Sequence, residues 1–312
     1  MTGQADQPIT LLMGVYNGAA MLAAQLQSFA DQSDADWQLI CSDDGSSDDS
    51  GALIADFASD VAQEVRQITG PGQGFSANYM SMIAGLEPDC GLVAFADQDD
   101  VWLGDKLARA RAALAICDPA RPALYCARRY IWHAHSDTRH PTPVPMRAPS
   151  FRNALIENIA PGNTVVLNAA AARLARAAAP RTGAVFAHDW WLYLLITGAG
   201  GQVIFDDGAP CLLYRQHGGN VIGGDTGIGA QATRKLKVLQ GAFRDRLAGN
   251  LAAMMAVEDL LTPDNAQVAH AFAAARAASL PTRLSGLIRV GPYRQTGFGN
   301  IGFWGAALLG RV

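Results

Sequence analysis

Residues 91–102, GLVAFADQDDVW, place three aspartates directly after an apolar run. The run GLVAFA (91–96) has the length and composition of a buried strand. Burying Asp97, Asp99 and Asp100 as unpaired charges would cost free energy, so these residues at the end of a core strand are expected to have a binding partner or a solvated position. The stretch predicts a buried strand whose carboxyl end forms part of a polar site.

The chain around this strand alternates between strand-like and helix-like segments. Strand-like runs occur at residues 9–15, 37–42 and 65–68, and each is followed by a segment with apolar residues at helical spacing. A fourth helix is predicted over 103–116, after the acidic residues. This alternation predicts an α/β fold with a mainly parallel sheet that helices cover on both faces. Ligands of such sheets bind beyond the carboxyl ends of the strands.

Composition limits the possible function classes. The 312 residues, of which 50% are apolar or aromatic, suffice for one large domain with a C-terminal extension. A net charge of −4 and a pI near 5.8 argue against a nucleic-acid binder, which needs clustered Lys and Arg. Five widely spaced cysteines without a CxxC pair are typical of reduced thiols in a cytoplasmic protein, not of a zinc site. We also expect no signal peptide and no membrane-spanning segment, so the protein is soluble or lies on a membrane surface.

The strand ends collect polar residues from separate parts of the chain. Because the carboxyl ends of parallel strands meet at one edge of a sheet, the following residues are expected to share a site: Tyr16, Asn17, Asp43, Asp44, Asp97, Asp99 and Asp100. Neighbouring carboxylates repel each other unless a cation lies between them. An Asp-x-Asp sequence offers oxygen ligands to Mg²⁺ or Mn²⁺ and leaves coordination positions for phosphate oxygens. The simpler alternative is that Asp99 and Asp100 cap a helix that begins near Trp102.

Other reaction classes fit the sequence less well. Residues 97–101 also match the DxDx(T/V) motif of haloacid-dehalogenase phosphatases, but those enzymes carry it after the first strand, which here ends in GVYNG. The glycine-rich GPGQGFSAN (70–78) lacks the closing GK(S/T) of a Walker loop and the context of a Rossmann fingerprint. A sugar nucleotidyltransferase would need a Gly-rich, Arg-bearing loop after the first strand, where VYNGAAM stands.

Three segments in order resemble the nucleotide-binding half of family 2 glycosyltransferases with the GT-A fold: GVYNG (14–18), QLICSDDGSSDDS (38–50) and FADQDDVWLGDKL (95–107). Three later segments narrow the resemblance to bacterial rhamnosyltransferase-like members, which build O-antigen and other surface polysaccharides: NIAPGNTVVLN (158–168), AHDWWLYLL (187–195) and LLYRQHGGNVIG (212–223). The match extends from residue 9 to about residue 223 and is specific as an ordered set.

The resemblance implies a nucleoside-diphosphate sugar as donor and a divalent cation, Mg²⁺ or Mn²⁺, as cofactor. In the family, the aromatic residue after the first strand lies near the base, and an Asp after the second strand hydrogen-bonds the imide of the base. Tyr16 and Asp44 hold these positions here. Their neighbours Asn17 and Asp43 would belong to the same nucleotide site.

On the diphosphate side, the resemblance makes Asp99 the main metal ligand and puts Asp97 at the ribose or the metal. His217 would lie in a C-terminal loop that closes over the diphosphate, as a metal ligand or phosphate contact, with Arg215 as an alternative anion partner. A packed or surface histidine is the simpler interpretation of His217. Its position between Arg215 and the Gly218–Gly219 pair favours a mobile lid.

On the acceptor side, Asp189 matches the catalytic base of the family, which takes the proton of the acceptor hydroxyl in an attack that inverts the anomeric centre. It can equally N-cap the helix that follows. Trp190 and Trp191 would line the sugar pocket or pack in the core. Asn163 and Thr164 would belong to an acceptor-side loop, although relatives often carry Cys in place of Asn163.

Three segments receive no role in the reaction. WHAHSDTRH (132–140) holds three histidines but is predicted to be a solvated loop rather than a second metal site, and residues 168–179 predict an Ala-rich helix. From Leu280 onward the chain carries four arginines and no acid, and GFGNIGFWGAALLG (297–310) adds apolar bulk. We expect this tail to dock on an anionic membrane surface, with a helical cap or a dimer contact as alternatives.

Together these features predict a metal-dependent, inverting glycosyltransferase that acts in surface polysaccharide synthesis. Residues 1–225 would form the GT-A domain, with a nucleotide-binding half (about 1–118) and an acceptor half (about 119–225), and residues 226–312 a helical extension. The favoured donor is dTDP-rhamnose, by resemblance, and the acceptor is a saccharide or a lipid-linked saccharide. The alternatives are a UDP-sugar transferase of the same fold and a catalytically silent nucleotide- or carbohydrate-binding protein. We expect a cytoplasmic protein with peripheral contact at the inner face of the plasma membrane.

Overall fold

The apolar run Ile9–Val15 forms an interior strand of a seven-stranded sheet in the computed structural model, which describes residues 7–217 and 242–312. The strands of the described residues are β1 (Ile9–Val15), β2 (Trp37–Asp43), β3 (Val65–Thr69), β4 (Val93–Ala96), β5 (Val101–Trp102), β6 (Ala123–Ala127), β7 (Tyr130–His133), β8 (Thr138–Pro141), β9 (Val166–Leu167), β10 (Gln202–Asp206) and β11 (Leu212–Arg215).

Helices follow the strands in the order that the sequence predicts. Those within the described ranges are α1 (Ala19–Ala30), α2 (Ser50–Asp60), α3 (Phe75–Ala84), α4 (Lys106–Ala115), α5 (Phe151–Ala154), α6 (Ala169–Ala178), α7 (His188–Gly198), α8 (Ala242–Met255), α9 (Pro263–Ala277), α10 (Leu280–Val290) and α11 (Gly297–Leu308). The four predicted strand-and-helix units and the Ala-rich helix are therefore confirmed.

The large sheet has the strand order β10-β6-β9-β4-β1-β2-β3. Strand β1 runs parallel to β2 and β4, β2 is parallel to β3, and β10 is parallel to β6. The short strand β9 is antiparallel to both of its neighbours. A second sheet has the order β5-β11-β7-β8. The predicted α/β class with a mainly parallel sheet is confirmed.

Both faces of the interior strands are buried. Leu11 and Leu12 are adjacent in β1 and point to opposite faces of the sheet, yet both are fully buried. Each such side chain contributes about 1.5–3 kcal/mol through burial. A strand covered on two sides has no room for alternating polar residues, which is why β1 and β4 read as continuous apolar runs.

The described chain divides into two compact units. The first contains the chain up to Val144 together with Ala160–Pro180 and Gly201–Arg215, and it holds both sheets. The second contains Pro145–Ile159, Arg181–Gly200 and the chain from Gln216 onward. The helices beyond residue 241 thus share a compact unit with two short segments from the middle of the sequence.

The second unit is helical. Helix α7 packs against α5 and α8, and the later helices pack in succession, α8 on α9, α9 on α10 and α10 on α11. Helices α9 and α10 approach closely at Gly286, where an added Cβ would lie 2.7 Å from the Cβ of Ala275. The predicted helical character of the C-terminal region is confirmed for residues 242–312. Most of the predicted helix KLKVLQGAF, up to residue 241, lies outside the described residues.

Residues 101–102 form a strand rather than the start of a helix. Trp102 pairs with Leu212 in antiparallel fashion, and its backbone N–H donates to Ser28 Oγ at 3.0 Å. Helix α4 begins only at Lys106, with Asp105 as its N-cap residue. The suggestion that Asp99 and Asp100 cap this helix is therefore wrong, because the chain stays extended directly after them.

Residues 130–141 form a hairpin, β7 and β8, so the predicted loop at WHAHSDTRH is also wrong. The turn contains Asp137, whose φ of 49° lies in the left-handed region that Asp tolerates better than most residues. Its Oδ1 accepts a hydrogen bond from Trp132 Nε1 at 2.9 Å, which ties the turn to the first strand. The polar side chains of this segment concealed its strand character.

Two further predictions concern membranes and thiols. No described helix combines the length and the apolar character that a membrane crossing requires. All five cysteines lie within the described residues and carry free thiols, as the sequence predicts.

Stability is expected to depend on pH through His188 at the start of α7. Burial lowers the pKa of this imidazole to about 4, against the opposing effect of Asp189. The unfolded chain takes up the proton near pH 6.5, so stability falls as the pH drops from about 6.5 towards about 4. We expect the wild type to lose on the order of 2 kcal/mol more than His188→Asn between pH 7 and pH 5.

Urea unfolding of the two proteins at both pH values measures this difference. His140→Asn, at an exposed position of the hairpin, controls for the loss of a histidine as such. Equal pH dependence in wild type and His188→Asn would contradict the prediction.

Candidate active site

Three strands of the large sheet deliver their polar residues to the same edge. In the parallel register, Val15 is aligned with Asp43 and Met13 with Ala96. The residues that follow these positions therefore leave the sheet side by side, namely Tyr16 and Asn17 after β1, Asp44 after β2 and Asp97 after β4. The prediction that separate segments converge on one edge is confirmed for these residues.

An acidic cluster lies at this edge. Asp97, Asp99 and Asp100 each offer one carboxylate oxygen, and these oxygens lie within 4.8 Å of one another. Asp97 and Asp99 are partly exposed, whereas Asp100 is fully buried. Burial and the two neighbouring carboxylates raise the pKa of Asp100 well above its ordinary value. A set of three carboxylates suits a hard divalent cation such as Mg²⁺ or Mn²⁺, so the residues fit the predicted metal.

Asp100 is held by donors from distant parts of the first unit. Asn163 Nδ2 donates to Asp100 Oδ2 at 2.5 Å, and the backbone N–H of Arg215 donates to Asp100 Oδ1 at 3.3 Å. Asn163 in turn accepts a hydrogen bond from Arg129 Nη1 at 2.9 Å. These bonds satisfy a carboxylate that would otherwise be costly to bury.

Asn163 and Thr164, which the resemblance assigns to an acceptor-side loop, are held inside the first unit. Both lie in a 3₁₀ turn, Gly162–Thr164, and both are buried. Thr164 Oγ1 donates to the carbonyl of Pro161 at 2.8 Å. Asn163 thus holds the buried carboxyl group of Asp100, and Thr164 bonds within its own turn. Their assignment to the acceptor side stays a prediction.

Arg215 lies beside the acidic cluster. Its Nε donates to the carbonyl oxygen of Asp99 at 2.9 Å, and its guanidinium group lies over the ring of Trp132, 4.3 Å from the centroid. A positive group is thus brought to the residues predicted to bind metal and diphosphate. His217 is the last described residue before the gap, and the predicted lid glycines Gly218 and Gly219 lie outside the described residues.

Gln98, the middle residue of the Asp-x-Asp sequence, holds Tyr16 in place. Its Oε1 accepts from the Tyr16 N–H at 2.8 Å, and its Nε2 donates to the Tyr16 carbonyl at 2.9 Å. The Gln98 amide lies so close to Gly18 that any Cβ there would collide with it. The side chain of Tyr16 itself is exposed at the strand edge. Sequence reasoning missed Gln98, because nothing local to its motif indicates a partner 82 residues away.

Asn17 links the segment after β1 to the serine-rich loop after β2. Its backbone has a φ of 47°, and its N–H donates to Ser46 Oγ at 2.9 Å. Its Oδ1 accepts from the N–H of Ser47 at 2.8 Å. Asp43 shapes the same loop, since its Oδ1 accepts from the N–H groups of Gly45 and Ser46. In this structure both predicted nucleotide-site residues fix loop conformation.

Asp44 holds the glycine-rich loop. Its two carboxylate oxygens accept from the N–H groups of Gly72 and Gly74, each at 2.7 Å. Both glycines have positive φ values, 67° and 89°, which other residues adopt only with strain. The GPGQG segment, which matched no known phosphate-binding motif, is thus attached to the strand edge by Asp44. The contact of Asp44 with a nucleobase stays a prediction.

Tyr79 on α3 forms a hydrogen bond with Asp97. Its hydroxyl lies 2.5 Å from the carbonyl oxygen of Ala96 and 3.2 Å from Asp97 Oδ1. Burial and the nearby Asp97 carboxylate raise its pKa well above the ordinary value, so the phenol stays protonated and can donate. The sequence suggested only an apolar helix face at this position, so this polar contact was missed.

Asp189 lies in the second unit, in the first turn of α7. The N-cap residue of this helix is Ala187, so the suggestion that Asp189 is the N-cap is wrong. Its Oδ1 accepts from the Trp190 N–H at 2.7 Å, and a negative charge in a first turn is stabilised by the helix dipole. Trp190 is buried and donates through Nε1 to the carbonyl of Ala154 at 2.7 Å, and Trp191 is fully buried. Their burial favours the core alternative over the sugar-pocket one.

Comparison with known proteins relates the chain to sugar-transferring enzymes. Residues 10–173, more than half of the chain, match the family model described as Glycosyl transferase family 2. Over 240 residues the chain is 25% identical to the dTDP-rhamnosyl transferase RfbG of Shigella flexneri, a match that covers 71% of this chain and 77% of that protein.

Two other proteins are similar to the chain. Over 102 residues it is 26% identical to the UDP-Glc:alpha-D-GlcNAc-diphosphoundecaprenol beta-1,3-glucosyltransferase WfgD of Escherichia coli, covering 33% of this chain but only 39% of that protein. The fold is similar to that of the mannosyltransferase PcManGT from Pyrobaculum calidifontis in complex with GDP-Man and Mn²⁺. That comparison has a TM-score of 0.51 and 18% identity, and it covers 99% of this chain and 87% of the other.

Replacing Gln98 with alanine should weaken the binding of a nucleoside diphosphate. The variant loses both hydrogen bonds to the Tyr16 backbone but keeps all three aspartates of the cluster. Since the two lost hydrogen bonds together contribute about 1–3 kcal/mol, we expect the affinity for dTDP or UDP to fall at least about fivefold, as measured by isothermal titration calorimetry.

The matched control is Gln63→Ala. Its Nε2 also donates to a backbone carbonyl, that of Ala35 at 3.0 Å, at a position remote from the strand ends that carry the site. If Gln98→Ala binds the nucleotide as tightly as this control does, the two hydrogen bonds between Gln98 and the Tyr16 backbone do not contribute to binding.

Proposed function

The chain belongs to glycosyl transferase family 2, and from this premise we propose an inverting, metal-dependent transfer of a sugar from a nucleoside diphosphate to an acceptor. The chain is a glycosyltransferase with the GT-A fold, and enzymes of this kind use nucleotide-sugar donors. The observation that carries the proposal is the cluster of three carboxylates at the edge where the strands end.

In this proposal the first unit binds the donor. The exposed ring of Tyr16 stacks on the nucleobase, and Asp44 hydrogen-bonds the imide, with Asn17 and Asp43 fixing the loops around them. Asp97 and Asp99 would hold the divalent cation, since their carboxylates are partly exposed, whereas that of Asp100 is buried and already hydrogen-bonded.

The cation, when bound, would offset the negative charge that grows on the departing diphosphate. Arg215 supports this proposal, because its guanidinium group lies beside the acidic cluster and can pair with phosphate oxygens. We propose His217 as a further metal ligand or phosphate contact.

Asp189 acts as the general base. Its carboxylate takes the proton from the acceptor hydroxyl while the hydroxyl oxygen bonds to the anomeric carbon, and the bond from that carbon to the diphosphate breaks. Attack from the face opposite the leaving group inverts the anomeric centre. The hydrogen bond from the Trp190 N–H orients the carboxylate for this role. Asn163, Thr164 and the tryptophans would then support the acceptor side from within the fold.

The donor and the acceptor are inferred from the named relatives. The relation to a protein named as a dTDP-rhamnosyl transferase favours dTDP-rhamnose. The shorter match to a protein named for UDP-Glc favours the UDP-sugar alternative, and its named acceptor, a diphosphoundecaprenol-linked sugar, supports a lipid-linked saccharide. Such a reaction would belong to the synthesis of a surface polysaccharide such as O-antigen, on the cytoplasmic side of the membrane.

Titration of the protein with a panel of nucleotides and nucleotide sugars, with and without Mn²⁺, tests the proposal. Metal-dependent binding together with slow hydrolysis of one donor is the expected result, and the donor that is hydrolysed identifies the sugar. Metal-independent binding without turnover would instead support a silent binding protein.

Asp99→Asn should impair both donor binding and transfer. The amide keeps the size of the side chain but removes the negative charge that binds the cation, so we expect donor affinity in Mn²⁺ to fall at least about tenfold and transfer at least about 100-fold. Asp60→Asn, an exposed replacement at the end of α2, is the matched control. Unchanged Mn²⁺-dependent donor binding in Asp99→Asn would rule out Asp99 as the main metal ligand.

Asp189→Asn should separate chemistry from binding. Loss of a general base lowers the rate by about 10²- to 10⁴-fold, whereas donor affinity should stay within about twofold of the wild type. Asp264→Asn, another first-turn aspartate, in α9, controls for the effect of charge at a helix start. Full turnover by Asp189→Asn would show that another group accepts the proton.

A further inference from the structure

Helix α11 exposes an apolar face. Its exposed large side chains are Phe298, Ile301, Leu308 and the adjoining Leu309, with relative exposures of 89%, 70%, 55% and 65%. At about 100° per residue these positions fall within an arc of about 100° on one side of the helix. Phe303 and Ala307, on the opposite side, are buried. Scattered exposed apolar residues are normal, but a continuous face of them is typical of a binding surface.

The charged side chains of this C-terminal segment are all basic. Residues 280–312 carry four arginines and no aspartate or glutamate. Arg294 pairs with Glu157, at 3.2 Å, so its charge is neutralised within the unit. Arg289 and Arg311 are exposed, and Arg289 directly follows Ile288 on α10, which is 68% exposed. The surface thus combines exposed apolar side chains with positive charge.

We propose that this C-terminal face, defined by Ile288, Phe298, Ile301, Leu308 and Leu309 with Arg289 and Arg311, binds a membrane surface that contains anionic lipids. The apolar side chains would enter the region between the head groups and the acyl chains, and the arginines would contact lipid phosphates. Gly302 and Gly305 lie on the same side of α11 and add no polar group to it.

Charge favours a membrane over a second copy of the chain as the occupant. A symmetric dimer through this face would bring the arginines of one copy towards those of the other, and residues 280–312 contain no acidic residue that could neutralise them. An anionic lipid surface supplies the opposite charge across the whole face. The proposal concerns binding alone, so it stands or falls independently of the transfer reaction.

Vesicle sedimentation of the full chain tests the proposal. We expect wild type to bind vesicles of phosphatidylcholine with phosphatidylglycerol, and to bind pure phosphatidylcholine vesicles at least about fivefold more weakly, because each arginine near an anionic surface contributes about 1 kcal/mol. The double variant Phe298→Ser/Ile301→Ser should lose at least about tenfold in partitioning, because two apolar side chains no longer enter the lipid. Arg289→Gln/Arg311→Gln should lose only the preference for the anionic vesicles.

The matched control is Ile116→Ser. Ile116 follows α4 in the first unit and is 89% exposed, as Phe298 is, but it lies outside the C-terminal face. Circular dichroism and dTDP binding verify that each variant is folded, which also keeps this test separate from that of the transfer reaction. Equal sedimentation of wild type and the Phe298/Ile301 variant would overturn the proposal. So would a concentration-dependent dimer that this variant abolishes.

Discussion

The buried carboxylate of Asp100 is the constraint around which the candidate site is built. A carboxyl group without solvent needs hydrogen-bond partners, and here the donors come from two segments that are distant in sequence, Asn163 and the backbone of Arg215. Arg129 then holds Asn163 from its other side. Because Asp100 is fixed in this way, the neighbouring Asp97 and Asp99 are held at the edge of the sheet with their carboxylates partly exposed. One interior aspartate thus orients two that are available for chemistry.

Much of this arrangement follows from local patterns in the sequence. Strands β1, β2 and β4 could be predicted from their mainly apolar residues, because strands buried on both faces contain few polar residues. The rule that ligands gather at the carboxyl ends of parallel strands then brought Tyr16, Asp44 and Asp97 together without knowledge of any contact. Local periodicity and one topological rule were sufficient to predict these strands and the position of these three residues.

The hydrogen bonds that hold the site residues in place could not be predicted from the sequence, because they join residues that only the fold brings together. Gln98 and Tyr16 are 82 residues apart, and Arg215 and Asp100 are 115 apart. The two-residue strand β5 exists only through its pairing with β11, so its own residues suggested a helix start instead. Asn163 was assigned to an acceptor-side loop by resemblance, and its hydrogen bond to the buried Asp100, 63 residues away, could not be predicted from that assignment.

The hydrogen bonds between residues 17–19 and residues 46–50 have a consequence for protein engineering. Backbone N–H groups of Asn17, Gly18 and Ala19 bond to side chains of the serine- and aspartate-rich loop, and Asn17 Oδ1 accepts a bond in return. The two segments therefore form a single interlocked module. Replacing either segment with that of a homologue would require both segments to be exchanged as a pair, and natural variation in one should be matched by compensating variation in the other.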